Sequence, residues 1–230
     1  MIVFAIVLLL CAAVLELTLG ARLLWLARVT RGAPEISMGL AFLLDAIAQV
    51  SGTVAQRLEG GAQTWAFGVT TWLTVLATSA LLWGVVAIFE QHRPWVSKAV
   101  WIVIAGVAGA LLAILLGVRD TPFITARWVN RGFTAFTFVW AVLGSLSARQ
   151  ACLRQIPLGL STRLEAARFG LWAFAAGAYL CVLVLVFARD VLGMPSAVTL
   201  AARPLLAFAC VLAVWCTFFP PRWLEQRLDG

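Results

Sequence analysis

Residues 99–118 read AVWIVIAGVAGALLAILLGV, twenty consecutive positions without a charged, amide or hydroxyl side chain. An α-helix rises 1.5 Å per residue, so this stretch spans about 30 Å, the thickness of a bilayer's hydrocarbon core. Six similar runs lie on either side of it. Together the seven occupy about 2–24, 36–56, 65–89, 98–118, 124–147, 168–188 and 196–219. Pro34, Pro94, Pro122, Pro157, Pro195, Pro220 and Pro221 sit at or beyond run ends, and only Pro204 lies inside one. That placement is what helix boundaries require, because proline lacks an amide donor and clashes with the preceding turn. A transmembrane β-barrel would show alternating segments of about ten residues instead. The expectation is an all-α polytopic membrane protein: one domain over 1–230, folded as a seven-transmembrane-helix bundle.

Composition agrees. The chain is 63% hydrophobic and 12% charged, against about 45–50% and about 25% in soluble domains. A chain of 230 residues cannot bury that much apolar surface in water. Eleven Trp against one Tyr suits indoles placed at membrane interfaces and between helices. The net charge of +7 would suggest nucleic acid in a soluble protein. Here the basic residues fall in short connections between apolar runs, so membrane topology and anionic headgroups account for them and no nucleic-acid partner is expected. Cys11, Cys152, Cys181, Cys210 and Cys216 form no CxxC and read as small apolar side chains.

Orientation follows from Lys and Arg. Eleven basic residues, Arg22, Arg149 and Arg154 among them, fall on one side. Five fall on the other, namely Arg57, Arg119, Arg127, Arg131 and Arg189, with Arg203 inside the seventh run. The positive-inside rule puts the larger set, the 148–167 loop and the C-terminus in the cytoplasm and the N-terminus outside. Met1–Leu10 has no Lys or Arg, so the first run reads as an uncleaved helix and not a signal peptide. Localisation to the plasma (inner) membrane is expected. Helix four, devoid of polar side chains, reads as peripheral and lipid-facing. It could link two halves of a 3+1+3 repeat. Its Ala105/Gly109 and Gly106/Ala110 pairs have the spacing that lets helices approach closely. Packing within the chain is the first expectation for them, and a homo-oligomer face the second.

Ionisable residues inside a bilayer cost roughly 2.5–3.5 kcal/mol each at a helix centre, so they need partners or a task. Glu16 in helix one, Asp45 in helix two, Arg203 in helix seven and Arg131 at the outer end of helix five are the candidates. At 1.5 Å per residue, Asp45 lies about 14 Å from the inner end of its run and Arg203 about 10 Å from the outer end of its own. A buried Asp45–Arg203 pair is therefore expected, as either a clamp or part of a site. Gln49 and Thr53 continue the Asp45 face at helical spacing. Thr71, Thr74 and Thr78 form a second polar face. Asn130, Thr134, Thr137 and Ser145 form a third, and Ser196, Thr199 and Arg203 a fourth. Plain interhelical hydrogen bonding explains the Thr stripes equally well. The outer arginines suit a carboxylate or phosphate ligand, or else local ion pairs with Glu59, Asp120 and Asp190.

Several chemistries have no residues to carry them. The sole Lys, Lys98, lies at a run edge, so a retinal Schiff base in the last helix is excluded. The sole His is His92, in a loop, and HExxH, GxSxG and Walker patterns are missing. No cofactor, metal or enzymatic activity is expected. The segment after the last run carries Arg222, Trp223, Leu224 and Arg227, the composition of an interfacial anchor. The leading functional expectation is a receptor-like module that binds a small ligand, an anionic one included, from the outer side through Glu16, Asp45, Gln49, Arg131 and Arg203, and signals through a membrane or cytoplasmic partner protein. The alternatives are a small-solute or ion transporter or channel working as an oligomer, and a structural subunit of a membrane complex.

Overall fold

A computed structural model of the chain describes residues 2–55, 57–90, 93–115, 122–193 and 196–229. The described residues form eight α-helices and one short 3-10 turn. They are α1 (Ile2–Thr30), α2 (Ala33–Ala55), α3 (Gly60–Phe89), α4 (Pro94–Leu115), α5 (Pro122–Gln155), α6 (Arg163–Leu192), α7 (Ser196–Phe218) and α8 (Arg222–Asp229), with the 3-10 turn at Ile156–Leu158. The helices α1 to α6 each hold a segment long and apolar enough to cross a membrane. α7 contributes a shorter apolar stretch, Ala202–Phe218. The architecture is all-helical and suited to lipid.

The helix ends differ from the apolar runs, and the reason is chemical. α5 continues to Gln155, through Ala148–Gln155 (ARQACLRQ), which had been expected to open the 148–167 loop. Ala, Arg, Gln and Leu are strong helix formers whether or not lipid surrounds them. Hydropathy marks where lipid contact ends, not where the helix does. α6 likewise begins at Arg163 because a capping box fixes it there: the Thr162 hydroxyl accepts from Glu165 N at 3.1 Å, and the Glu165 carboxylate accepts from Thr162 N at 3.0 Å. The loop shrinks to the few residues between the 3-10 turn and Thr162. The α1–α2 turn is made by Arg31, whose backbone is left-handed (φ 54°) and whose N–H donates to Ala27 O at 2.8 Å. Pro34 and Glu35 then suit the first turn of α2, one needing no amide partner and the other complementing the positive helix end.

The chain divides into two units, Glu16–Thr137 and Met1–Leu15 with Phe138–Gly230. The division falls within α1 and α5. In the Glu16–Thr137 unit, α1 and α2 touch through their backbones. A Cβ on Gly20 would stand 2.9 Å from Gly39 O, and one on Gly39 would stand 3.0 Å from Gly20 O. α2 packs on α3 where Gly84 admits Ser37 and Met38, with Leu82 and Val85 fully buried nearby. α4 meets its neighbours along one edge. Leu111 joins Val75 of α3 and Ala126 of α5 in a buried cluster, and Trp101 lies 5.5 Å from Trp83. Val96 and Val100 are buried along the same helix, whereas Ile102 is exposed at 72%. Its small-residue stripe is exposed too, and nothing lies within 4 Å of where a Cβ on Gly106 or Gly109 would stand. Among the described residues, no packing within the chain covers this stripe. The single edge of α4 is already filled by Leu111 and its neighbours.

In the other unit α6 packs on α7. Trp172 meets Phe218 edge-on at 5.8 Å, and Phe138 of α5 stacks on Tyr179 of α6 at 4.1 Å. Pro204 is buried inside α7. The segment after α7, expected to be an interfacial anchor, is the helix α8, which packs against α6.

Candidate membrane-embedded carboxylate site

α1 buries a narrow stripe, and Glu16 lies on it between apolar neighbours. Glu16, Leu19, Leu23 and Ala27 recur at spacings of three and four and are all buried, Glu16 at 5% exposure. Gly20 follows Glu16 by one turn on the same face. The Gly20–Gly39 backbone contact therefore brings α2 against α1 just beside the carboxylate. At that crossing Gln49 of α2 reaches Glu16. Its amide Nε2 donates to Glu16 Oε2 at 2.8 Å and to Asp45 Oδ2 at 3.0 Å. One side-chain nitrogen thus holds two carboxylates on two helices. Asp45 and Gln49 are half-buried and sit one turn apart on α2.

Three of the five expected site residues, Glu16, Asp45 and Gln49, therefore come together. Arg131 is half-buried on α5 with its guanidinium 4.8 Å over the Trp128 ring, a neighbour on its own helix. Arg203 had been expected to be buried, but its side chain is exposed on α7. The partner that sequence depth suggested for Asp45 was Arg203, whereas the hydrogen bond described for it comes from Gln49. The signal that could have found this arrangement is symmetry about a turn. Glu16 lies fourteen residues before Thr30, and Asp45 and Gln49 lie twelve and sixteen after Ala33, so an antiparallel hairpin sets them at one height.

The threonine stripes resolve mostly into local bonds. Thr71, Thr74, Thr134 and Thr137 each donate to the carbonyl four residues earlier, as do Thr53 and Ser145. Two hydroxyl pairs do cross between helices, Thr78 with Thr134 at 3.3 Å and Ser51 with Thr70 at 2.8 Å. The side chains of Ser196 and Thr199 lie outside the described residues, as do Arg119 and Asp120. Of the arginines expected on the outer side, Arg189 pairs with its neighbour Asp190 at 2.7 Å.

Chemically, two carboxylates on one amide in a low-dielectric setting form an acceptor site for positive charge. Gln49 supplies hydrogen bonds but no net charge, and burial of a carboxylate is favourable only with a compensating partner. No family model, curated protein or solved structure matches the chain.

Proposed function

We propose that this chain is a seven-span membrane protein, its N-terminus outside and its C-terminus in the cytoplasm, in which Glu16, Gln49 and Asp45 bind a proton or a small monovalent cation during transport of that ion, or of a solute coupled to it. The observation carrying this reading is the buried Glu16, which accepts a hydrogen bond from Gln49 of α2 beside Asp45. One positive charge bound there halves the charge of the pair, and Gln49 can remain donor to both oxygens before and after. Such intramembrane carboxylates commonly mark ion or proton paths. The anion-binding receptor reading has less support because two of the three residues joined by hydrogen bonds, Glu16 and Asp45, are acidic.

The test is flux into liposomes containing the purified full chain, with an internal pH dye and with Na⁺ or K⁺ gradients. The wild type is expected to move at least one of the three ions faster than empty liposomes, and Glu16→Gln is expected to slow that flux at least tenfold. Wild-type flux of H⁺, Na⁺ and K⁺ all equal to empty liposomes, or unchanged flux in Glu16→Gln, would overturn the proposal.

A further inference from the structure

At the opposite end of α6 from Arg189, the unit holding α6 to α8 contains a cavity of about 470 Å³. Its walls are Arg149 of α5, Ala167, Gly170 and Leu171 of α6, Cys216 of α7, and Trp223 and Leu224 of α8. That volume falls within the range of small-ligand pockets. Most of the lining is apolar, and Arg149 is its charged member.

Three details specify what fits. First, Arg149 lies across α6 at Gly170, where a Cβ would stand 3.5 Å from the guanidinium Nε. The absent side chain leaves room for the arginine to lie over the helix and to keep its outer face exposed. Second, Arg168, on the same turn of α6 as the lining residues, has its Nε buried with no hydrogen-bond partner among the described residues. The acid one turn earlier, Glu165, is engaged in the capping box and with Ser161 Oγ at 2.7 Å. Third, α8 closes the cavity with Trp223 exposed and Arg222 exposed beside it. An indole at this position suits the membrane interface, where apolar and hydrated layers meet. The result is a cavity with a cationic mouth and an apolar floor.

We infer that this cavity is a binding site for the phosphate of an anionic phospholipid. The guanidinium of Arg149 takes the phosphate oxygens, as planar bidentate donors do. Arg222 adds to the field at the mouth, and Leu171, Cys216 and Leu224 receive the first methylenes of the chains. Charge complementarity selects this occupant over a zwitterionic lipid, and the apolar floor selects it over free phosphate.

The test uses the full chain in mixed micelles titrated with dioleoylphosphatidylglycerol or dioleoylphosphatidylcholine, read by tryptophan fluorescence and by native mass spectrometry of retained lipid. Phosphatidylglycerol is expected to bind at least tenfold more tightly than phosphatidylcholine. Arg149→Gln and the cavity-filling Gly170→Leu should each reduce that preference at least fivefold. Arg222→Gln, which alters only an exposed side chain, should reduce it about twofold and serves where Gly170→Leu fails to fold. Equal binding of the two lipids, or an undiminished preference in Arg149→Gln and Arg222→Gln, would overturn the inference. Inorganic phosphate that binds alone and displaces the lipid at equal concentration would overturn the lipid assignment in favour of a soluble phosphate.

Discussion

Gln49 is the residue on which the carboxylate site turns, because it is the donor that buried Glu16 receives from α2. Replacing it with Leu leaves a buried acceptor without that donor, which costs about 1–3 kcal/mol for a neutral group and more for a charged one. Gln49→Leu should therefore lower the thermal midpoint in detergent. Glu16→Gln should be close to neutral or stabilising, since a neutral amide can accept the same hydrogen bond without carrying charge into the interior. Combining the two changes should restore part of the loss, because the charge that Gln49→Leu strands has been removed. The measurement is tryptophan-monitored unfolding of the three variants, and an unchanged midpoint in Gln49→Leu would show that the hydrogen bond contributes nothing. The types of residue in this site were legible from sequence, since Glu16, Asp45 and Gln49 stand out against apolar surroundings. Their partnership was not. Depth along a helix gives height in the membrane but not azimuth, so Arg203 and Glu16 were equally eligible as neighbours of Asp45. Only the Gly20–Gly39 contact decides which face of α1 meets α2.

Among the elements, α4 shows most clearly how a helix can be stable without being central. It carries no polar side chain over residues 99–115, and its exposed face leaves only an edge to pack, at Val96, Val100 and Leu111. Half-buried Ile104 should accept Val or Leu, and exposed Leu112 should accept Phe or Val, each with under about 0.5 kcal/mol of change, as is usual away from packed positions. Leu111→Ala, within the cluster formed with Val75 and Ala126, should cost about 2–5 kcal/mol. Folded yield and thermal midpoint of the variants would check the contrast, and equal losses at Leu112 and Leu111 would contradict the exposed position of the helix. Helix existence was readable from apolar runs throughout. Helix ends were not, because α5 and α6 extend past the lipid-compatible stretch on helix propensity and a capping box, which hydropathy does not register.

On the scale of the whole molecule, the distribution of Lys and Arg is the physical basis of the proposed orientation, and it can be tested directly. Single cysteines placed across residues 148–167 in a variant lacking the native thiols should react with an impermeant maleimide only after the membrane is opened. Those placed across 57–64 should react in intact cells. The reverse pattern would invert every inside and outside assignment and would move the Arg149 cavity to the outer leaflet. The helical extension of α5 to Gln155 sharpens this test, since labels on the face of Ala148–Gln155 should show a helical periodicity in reactivity that a loop would lack. Division into two units was not legible, because apolar runs look alike and their sequence carries little information about which helices choose one another.

The contact between Gly20 and Gly39 also bears on how the protein is made. A nascent first helix carrying Glu16 would enter the membrane alone with an ionisable group at its centre, and the second would do so with Asp45, each at roughly 2.5–3.5 kcal/mol on insertion scales. The two are joined by a turn of Arg31 and Gly32 and can close on a pair of hydrogen atoms where other residues would carry side chains. They can therefore leave the translocation machinery as a preformed hairpin, with Gln49 already bonded to both acids. A bulkier residue at either glycine would separate the helices during synthesis, when no other part of the chain is present to hold them. The defect would then appear as degraded or mistargeted protein in the cell before it could be measured as lost stability in a purified sample.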